Sequence, residues 1–168
     1  MTPEIRPMTE VDIPSYHACV DTVAKEHRFL ALLAAPSLAE ARSFVTPHIQ
    51  QKHPFFVAVA GAQVVGWCDI TPREHEWFAH CGTLGMGVHP DFRRRGLVAR
   101  LLGATLARAR EMGLERVELQ VFASNPAARQ LYQRFGFTVE GTRRHARKSD
   151  GGYDDNILMA LFLNASGI

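Results

Sequence analysis

The fold of this chain is decided by one stretch of sequence, Val88-His-Pro-Asp-Phe-Arg-Arg-Arg-Gly-Leu-Val-Ala-Arg-Leu-Leu102. The residues that lead into it, Gly82 to His89, read as a strand dotted with glycines, and such glycines mark a bulge or a close approach of another group to the backbone. The apolar residues that follow recur at helical spacing, namely Val98, Leu101, Leu102, Leu106, Ala109 and Met112. A strand that passes directly into an amphipathic helix predicts an α/β domain.

The turn between this strand and helix has the features of an anion-binding site. The first amides of the helix, from about Arg94 to Ala99, have no partners within the helix, and the helix dipole favours negative charge there. Gly96 lets a phosphate approach the main chain, and Arg93 to Arg95 add positive charge at the rim. The alternative interpretation is a solvated basic turn before an ordinary helix. A nucleotide loop of the Gly-x-x-x-x-Gly-Lys type is not present.

Outward from this turn, the chain reads as one alternating unit in the order β-α-α-β-β-β-α-β-α-β-β. Ser37 and Glu40 form a Ser-x-x-Glu capping box that opens the second helix, and we expect Pro47 to bend or end that helix. The last two strands are predicted at about residues 137–143 and 157–163. No repeat or linker-like stretch interrupts the pattern, so we expect a single domain over residues 1–168.

Composition excludes several classes of protein. The 168 residues are 46% hydrophobic and 21% charged with a formal net charge of +2, which is typical of a globular domain and not of a disordered chain. No apolar run is long enough for a membrane span, and the first residues lack a secretory signal, so we expect a cytoplasmic protein. The three cysteines are too scattered for a disulfide framework.

The arginine-flanked turn resembles the phosphate loop of the GNAT superfamily of acetyl-CoA-dependent N-acetyltransferases, which reads Gln/Arg-x-x-Gly-x-Gly/Ala. Arg93-x-x-Gly96-x-Val98 matches at the Arg, the Gly and the strand-to-helix setting, and departs at Val98. A second family motif, Asn-x-x-Ala-x-x-Leu-Tyr-x-x-x-Gly-Phe, is filled at every position from Asn125 to Phe137. For this second motif the alternative is a capped amphipathic helix with a core tyrosine. Both motifs in the family's order identify the chain as a member of the superfamily, similar to those acting on amino acids and other small molecules.

The resemblance implies a mixed, mostly antiparallel sheet of about seven strands, flanked by helices and splayed beside the acetyl-CoA site. It implies that Met86 and Val88 pair with the pantetheine arm, and that one of their amides stabilises the oxyanion. The full set of implied acetyl-CoA contacts is Met86, Val88, Arg93, Arg94, Arg95, Gly96, Val98, Ala99, Asn125 and Ala128. No metal is expected, because His75, Glu76, His80 and Cys81 have poor spacing for zinc.

The resemblance also implies a catalytic role for Tyr132, which would protonate the departing CoA thiolate. A carboxylate or an imidazole must also take a proton from the acceptor amine, directly or through water. Among the candidates Asp69, Glu74, His75, Glu76 and His80, the predicted base is Asp69 or Glu74. His27, Arg28 and Phe29 lie where the family's acceptor pocket forms and are predicted substrate contacts, with helix-end packing as the alternative.

The expected activity is transfer of an acetyl group from acetyl-CoA to a primary amine of a small molecule. Acetylation of a protein N-terminus and a non-catalytic acyl-CoA sensor are the alternatives. A nucleic-acid-binding module would use the cations Arg93, Arg94, Arg95, Arg143, Arg144, Arg147 and Lys148, but the low net charge disfavours it. We therefore expect acetyl-CoA and a small amine as partners, neither nucleic acid nor a membrane, with a homodimer left open.

Overall fold

Strands and helices follow one another in the predicted order in the computed structural model, which describes residues 1–163. The strands are β1 (Glu4–Pro7), β2 (Phe55–Ala60), β3 (Gln63–Pro72), β4 (Cys81–Val88), β5 (Arg116–Phe122), β6 (Thr138–Ser149) and β7 (Gly152–Phe162). The α-helices are α1 (Ile13–Ala24), α2 (Leu38–Gln50), α3 (Leu97–Glu111) and α4 (Pro126–Arg134). The predicted mixed α/β class is confirmed. None of the helices within residues 1–163 is long and apolar enough to cross a bilayer.

The strands form a seven-stranded sheet in the order β1-β2-β3-β4-β5-β7-β6. Antiparallel pairing joins β1 to β2, β2 to β3, β5 to β7 and β6 to β7. By contrast, β4 and β5 pair in parallel, with Cys81 opposite Arg116 and Thr83 opposite Glu118. The sheet is therefore mostly antiparallel, as predicted.

Contacts between Cα atoms divide the chain into two compact units, and β4 contributes residues to both. The first unit comprises Met1–Thr71 and Leu84–Gly113, and the second comprises Pro72–Thr83 and the described chain from Leu114 onward. In the first unit, α1 and α2 pack on the sheet through residues such as Ile13, Val23 and Val45, which are at most 1% exposed. Each such side chain stabilises the fold by roughly 1.5–3 kcal/mol.

Two local expectations need correction. The α2 helix starts with the predicted capping box at Ser37 and continues past Pro47 to Gln50, so Pro47 does not end the helix, and a bend there stays a prediction. Proline removes only one donor, and Gln51 N still donates to Pro47 O at 3.0 Å. The β6 strand extends to Ser149 instead of ending near residue 143, because its distal half pairs with the first residues of β7 from Asp154 to Gly152.

Candidate functional site

The predicted phosphate turn lies in the first unit, between β4 and α3. Gly96 is the N-cap residue of α3 with φ +73°, and the helix ladder begins with Arg100 N donating to Gly96 O at 3.2 Å. The amides of Leu97, Val98 and Ala99 therefore have no partner within the helix. A Cβ at Gly96 would meet no heavy atom within 4 Å, so glycine is needed here for its left-handed backbone and not for space.

The three arginines of the turn have different surroundings. Arg93 is partly buried, and its guanidinium is held by Glu26 and by the backbone oxygen of Val88. Arg94 is exposed and has φ +61°, an uncommon backbone for a residue with a side chain. Arg95 is exposed, with its guanidinium carbon 5.1 Å from the ring centre of Phe92. Two cations thus line the exposed rim of the turn, whereas the third is engaged within the protein.

The glycines of β4 accommodate side chains of β3. A Cβ at Gly87 would lie 2.4 Å from Trp67 Cη2, a distance that real side chains do not reach. A Cβ at Gly85 would lie 3.3 Å from Asp69 Oδ1. The close approach predicted from the glycine pattern is therefore made, within the first unit, by Trp67 and Asp69.

Asp69 is the buried carboxylate of this region, at 6% exposure. Burial raises its pKa to about 7, and a hydrogen bond with Thr71 opposes that rise. The pKa of Tyr16 is raised as well, first by burial and then by the negative charge of Asp69. Thr71 Oγ1 lies 3.2 Å from Nε2 of His48, whose pKa burial lowers to about 4. A carboxyl group that titrates near neutrality is suited to act as a general base.

The predicted acceptor contacts lie on the connection that follows α1. His27 has φ +54° and its Nε2 lies 3.1 Å from the oxygen of Leu33. The Phe29 ring carries two guanidinium groups, with centroid distances of 5.1 Å to Arg28 Cζ and 4.7 Å to Arg93 Cζ. This connection is thus linked to the phosphate turn through Arg93.

The second unit carries the other family motif, at the start and in the middle of α4. Asn125 Oδ1 accepts from Ala128 N at 3.2 Å, which caps the helix. Tyr132 is 8% exposed, and its ring centre lies 5.7 Å from that of Phe137. Its backbone oxygen accepts from Phe135 N and Phe137 N, both at 3.0 Å, as the chain leaves the helix. Helix packing and capping thus fix the position of this tyrosine.

The remaining predicted residues lie on both units. Met86 is half-buried and Val88 is buried, both at the end of β4 in the first unit. Glu74 lies in the second unit on an exposed loop, a setting quite unlike the buried one of Asp69. Among residues 1–163, no three His, Cys, Asp or Glu side chains are grouped as metal ligands would be.

Sequence reasoning missed Glu26, Trp67, Tyr16 and Thr71. The Glu26–Arg93 pair joins residues 67 positions apart, so no local pattern indicates it. Trp67 and Thr71 were detectable in principle, since both share the face of Asp69 at the two-residue spacing of a strand.

The comparisons with known proteins agree with this geometry. The Acetyltransferase (GNAT) family matches residues 20–137. The [ribosomal protein bS18]-alanine N-acetyltransferase of Salmonella typhimurium is 40% identical over 76 residues, which are 45% of this chain and 51% of the relative. The chain thus spans about half the length of that relative.

Two further proteins are similar over nearly their whole length. The L-methionine sulfoximine/L-methionine sulfone acetyltransferase of Pseudomonas paraeruginosa is 26% identical over 98% of this chain and 96% of its own. The crystal structure of a GNAT superfamily phosphinothricin acetyltransferase from Sinorhizobium meliloti, solved with acetyl-CoA, has a TM-score of 0.89 at 19% identity. It covers 98% of this chain and 90% of that one, and at this identity it shows the shared fold. Since the family match extends over most of the sequence, the chain belongs to the GNAT family of acetyltransferases.

Proposed function

We propose that this chain transfers the acetyl group of acetyl-CoA to the primary amine of an amino acid or a closely related small molecule. The observation that carries the choice of acceptor is the similarity to the L-methionine sulfoximine/L-methionine sulfone acetyltransferase, which extends over nearly the whole of both chains. An alignment that extends from end to end includes the elements that would form both the acetyl-CoA site and the acceptor site.

The first unit would hold acetyl-CoA at the start of α3. The amides of Leu97, Val98 and Ala99 would donate to the diphosphate, and Arg94 and Arg95 would add positive charge from the exposed rim. Met86 and Val88 would pair with the pantetheine arm through their main-chain groups. Main-chain donors that the helix ladder does not use, beside two exposed cations, fit a ligand with two adjacent phosphate charges.

Asp69 would be the general base. An amine is mostly protonated at neutral pH, and a carboxylate whose pKa burial raises to about 7 can accept that proton without holding it permanently. The amine nitrogen then forms a bond to the acetyl carbon while the carbon–sulfur bond breaks. Tyr132 would supply a proton to the departing thiolate and regain it from solvent. Glu74 is the alternative base, and it lies on an exposed loop.

A second acceptor class rests on a different match. The relative that shares 40% identity acts on the alanine of a ribosomal protein, so N-terminal acetylation of a protein is the competing function.

An acceptor panel followed by release of free CoA thiol tests the proposal. L-methionine sulfone, L-methionine sulfoximine and unmodified amino acids are compared with a peptide that begins with alanine. We expect turnover with at least one amino-acid acceptor and slower turnover with the peptide. Turnover with the peptide alone would favour the second function, and binding of acetyl-CoA without any turnover would identify a sensor.

A further inference from the structure

Three hydrogen bonds within the first unit engage the Arg93 side chain, one from each of its three nitrogens. Nη1 donates to Glu26 Oε2 at 2.8 Å, Nη2 donates to Glu26 Oε1, and Nε donates to the oxygen of Val88 at 2.9 Å. The face of the guanidinium lies over the Phe29 ring, with a centroid distance of 4.7 Å. Two parallel bonds to one carboxylate with an aromatic ring on one face form a geometry that arginine adopts and lysine cannot.

This arrangement neutralises Arg93 at the position where the family motif has its first cation. The Arg93 and Glu26 side chains are 27% and 22% exposed, so water screens their attraction less than it screens a surface pair. A phosphate would have to compete with this matched carboxylate for the guanidinium. Arg94 and Arg95, which are exposed, have no such competing acid among their described contacts.

The same contacts hold the backbone of the phosphate turn. Arg94, the next residue, has φ +61°, and a left-handed backbone at a residue with a side chain persists only where its surroundings fix it. Arg93 is anchored immediately before it, to the end of β4 and to the segment after α1.

We propose that Arg93 is a positioning residue and not a phosphate ligand: with Glu26 and Phe29 it locks the segment after α1 onto the phosphate turn. This inference rests on the proposed function, which places acetyl-CoA at the turn, and on the sequence-based prediction that His27, Arg28 and Phe29 contact the acceptor. Because the lock joins the two, occupancy of the turn and order of the acceptor segment stabilise each other reciprocally.

Glu26→Gln separates the two roles of Arg93 by the direction of its effect on CoA affinity. If Arg93 is a lock, losing the carboxylate loosens the turn, and the Kd for CoA measured by calorimetry rises about tenfold. If Arg93 is a phosphate ligand, the same change frees the guanidinium and removes a negative charge, so the Kd stays equal or falls. Arg93→Gln should match Glu26→Gln, and the double variant should be no worse than either single variant.

Two further variants complete the design. Glu111→Gln removes the acid of the exposed Arg108–Glu111 pair on α3 and should leave the Kd unchanged. Phe29→Leu keeps apolar bulk but removes the ring beneath the guanidinium, and it should raise the Kd about threefold. Thermal melts of every variant show whether it is folded before its affinity is interpreted.

Hydrogen exchange measures how CoA protects the acceptor segment, and this protection would not change if Arg93 and Glu26 only stabilised the fold. In the wild type, CoA should slow amide exchange of residues 26–34, and this protection should be lost in Glu26→Gln and Arg93→Gln. Protection that persists in both variants, or a Kd that Glu26→Gln leaves equal or lowers, overturns the lock. A wild type that binds no CoA overturns the proposed function instead, so the two failures are distinguishable.

Discussion

The α3 and α4 helices both begin at a family motif, but they treat their first amides in opposite ways. At α4 the side chain of Asn125 accepts from Ala128 N, so one of the first amides is satisfied within the protein. At α3 the N-cap residue is Gly96, which has no side chain to offer, and its φ of +73° turns the chain into the helix. A side-chain cap pairs a backbone amide at the helix N-terminus within the protein. A glycine N-cap leaves that amide available to a ligand.

Under the proposed function, this contrast gives α3 the role of holding the diphosphate and α4 the role of positioning Tyr132. Each assignment can be tested by variants that should change only one of three quantities: CoA binding, turnover or stability.

Asp69→Asn should have the largest effect, because it removes the proposed base and alters neither helix start. General bases typically contribute about 10²–10⁴-fold to rate, so kcat/KM should fall by that order while the Kd for CoA changes little. In the wild type, kcat/KM should rise with pH through about 7, where the Asp69 carboxyl loses its proton. Asp150→Asn, the same change at an exposed turn, is the control. Full activity of Asp69→Asn would transfer the role of base to Glu74 or to water.

Asp69→Asn should also change the pH dependence of stability. Burial raises the pKa of Asp69 from 3.8 to about 7, so the folded state binds this proton more tightly than the unfolded chain does. The contribution of Asp69 to stability should therefore fall as the pH rises from about 4 to 7, by up to about 4 kcal/mol, and comparison with Asp69→Asn isolates it from the other titrating groups. Urea unfolding should show Asp69→Asn to be the more stable protein at pH 8, with the difference vanishing near pH 4. An equal difference at both pH values would contradict this account.

Tyr132→Phe tests the assignment of α4. Loss of the phenol proton should lower kcat about a hundredfold, at the lower end of what acid–base groups contribute. The ring remains, so its contact with Phe137 and the Kd for CoA should be retained. Steady-state kinetics and calorimetry measure the two effects, with Tyr153→Phe at an exposed position as the control. An unchanged kcat would leave Tyr132 as a packing residue.

Gly96→Asp tests the assignment of α3, with Gly96→Asn as its isosteric control. Both side chains tolerate a left-handed backbone better than most, and no neighbouring atom opposes a Cβ there. The added charge at the helix start should weaken CoA binding about thirtyfold relative to Gly96→Asn. Equal Kd values for the two variants would show that the diphosphate is held elsewhere.

Asn125→Ala should have the smallest effect. Loss of an N-cap oxygen destabilises a protein by about 1 kcal/mol, which chemical unfolding can measure. Asn125→Asp keeps the cap oxygen but removes the amide donor, so its stability should match the wild type. If the Asn125 amide contacts pantetheine, as the family motif implies, Asn125→Asp should weaken CoA binding while stability is retained. Equal stability of Asn125→Ala and wild type would contradict the capping role.

Much of the fold was predictable because it follows from local patterns. The spacing of apolar residues predicts α3, and the capping box at Ser37 predicts the start of α2. The alternation of the apolar residues Val117, Leu119 and Val121 with polar ones predicts β5. The distal half of β6 was not predictable, because its consecutive basic residues show no alternation. That half is a strand because β7 pairs with it, and a pairing partner leaves no trace in one strand's own sequence.

The candidate site divides in the same way. The sequence by itself determined the two motifs, the glycine start of α3 and the cap of α4, since each depends on residues within a few positions of one another. Only the tertiary structure decided that Asp69 is buried enough to titrate near neutrality, that Trp67 and Asp69 explain the glycines of β4, and that Arg93 is bound by Glu26. The physical reason is that burial and ion pairing depend on which groups surround an atom in space, and those groups come from distant parts of the chain.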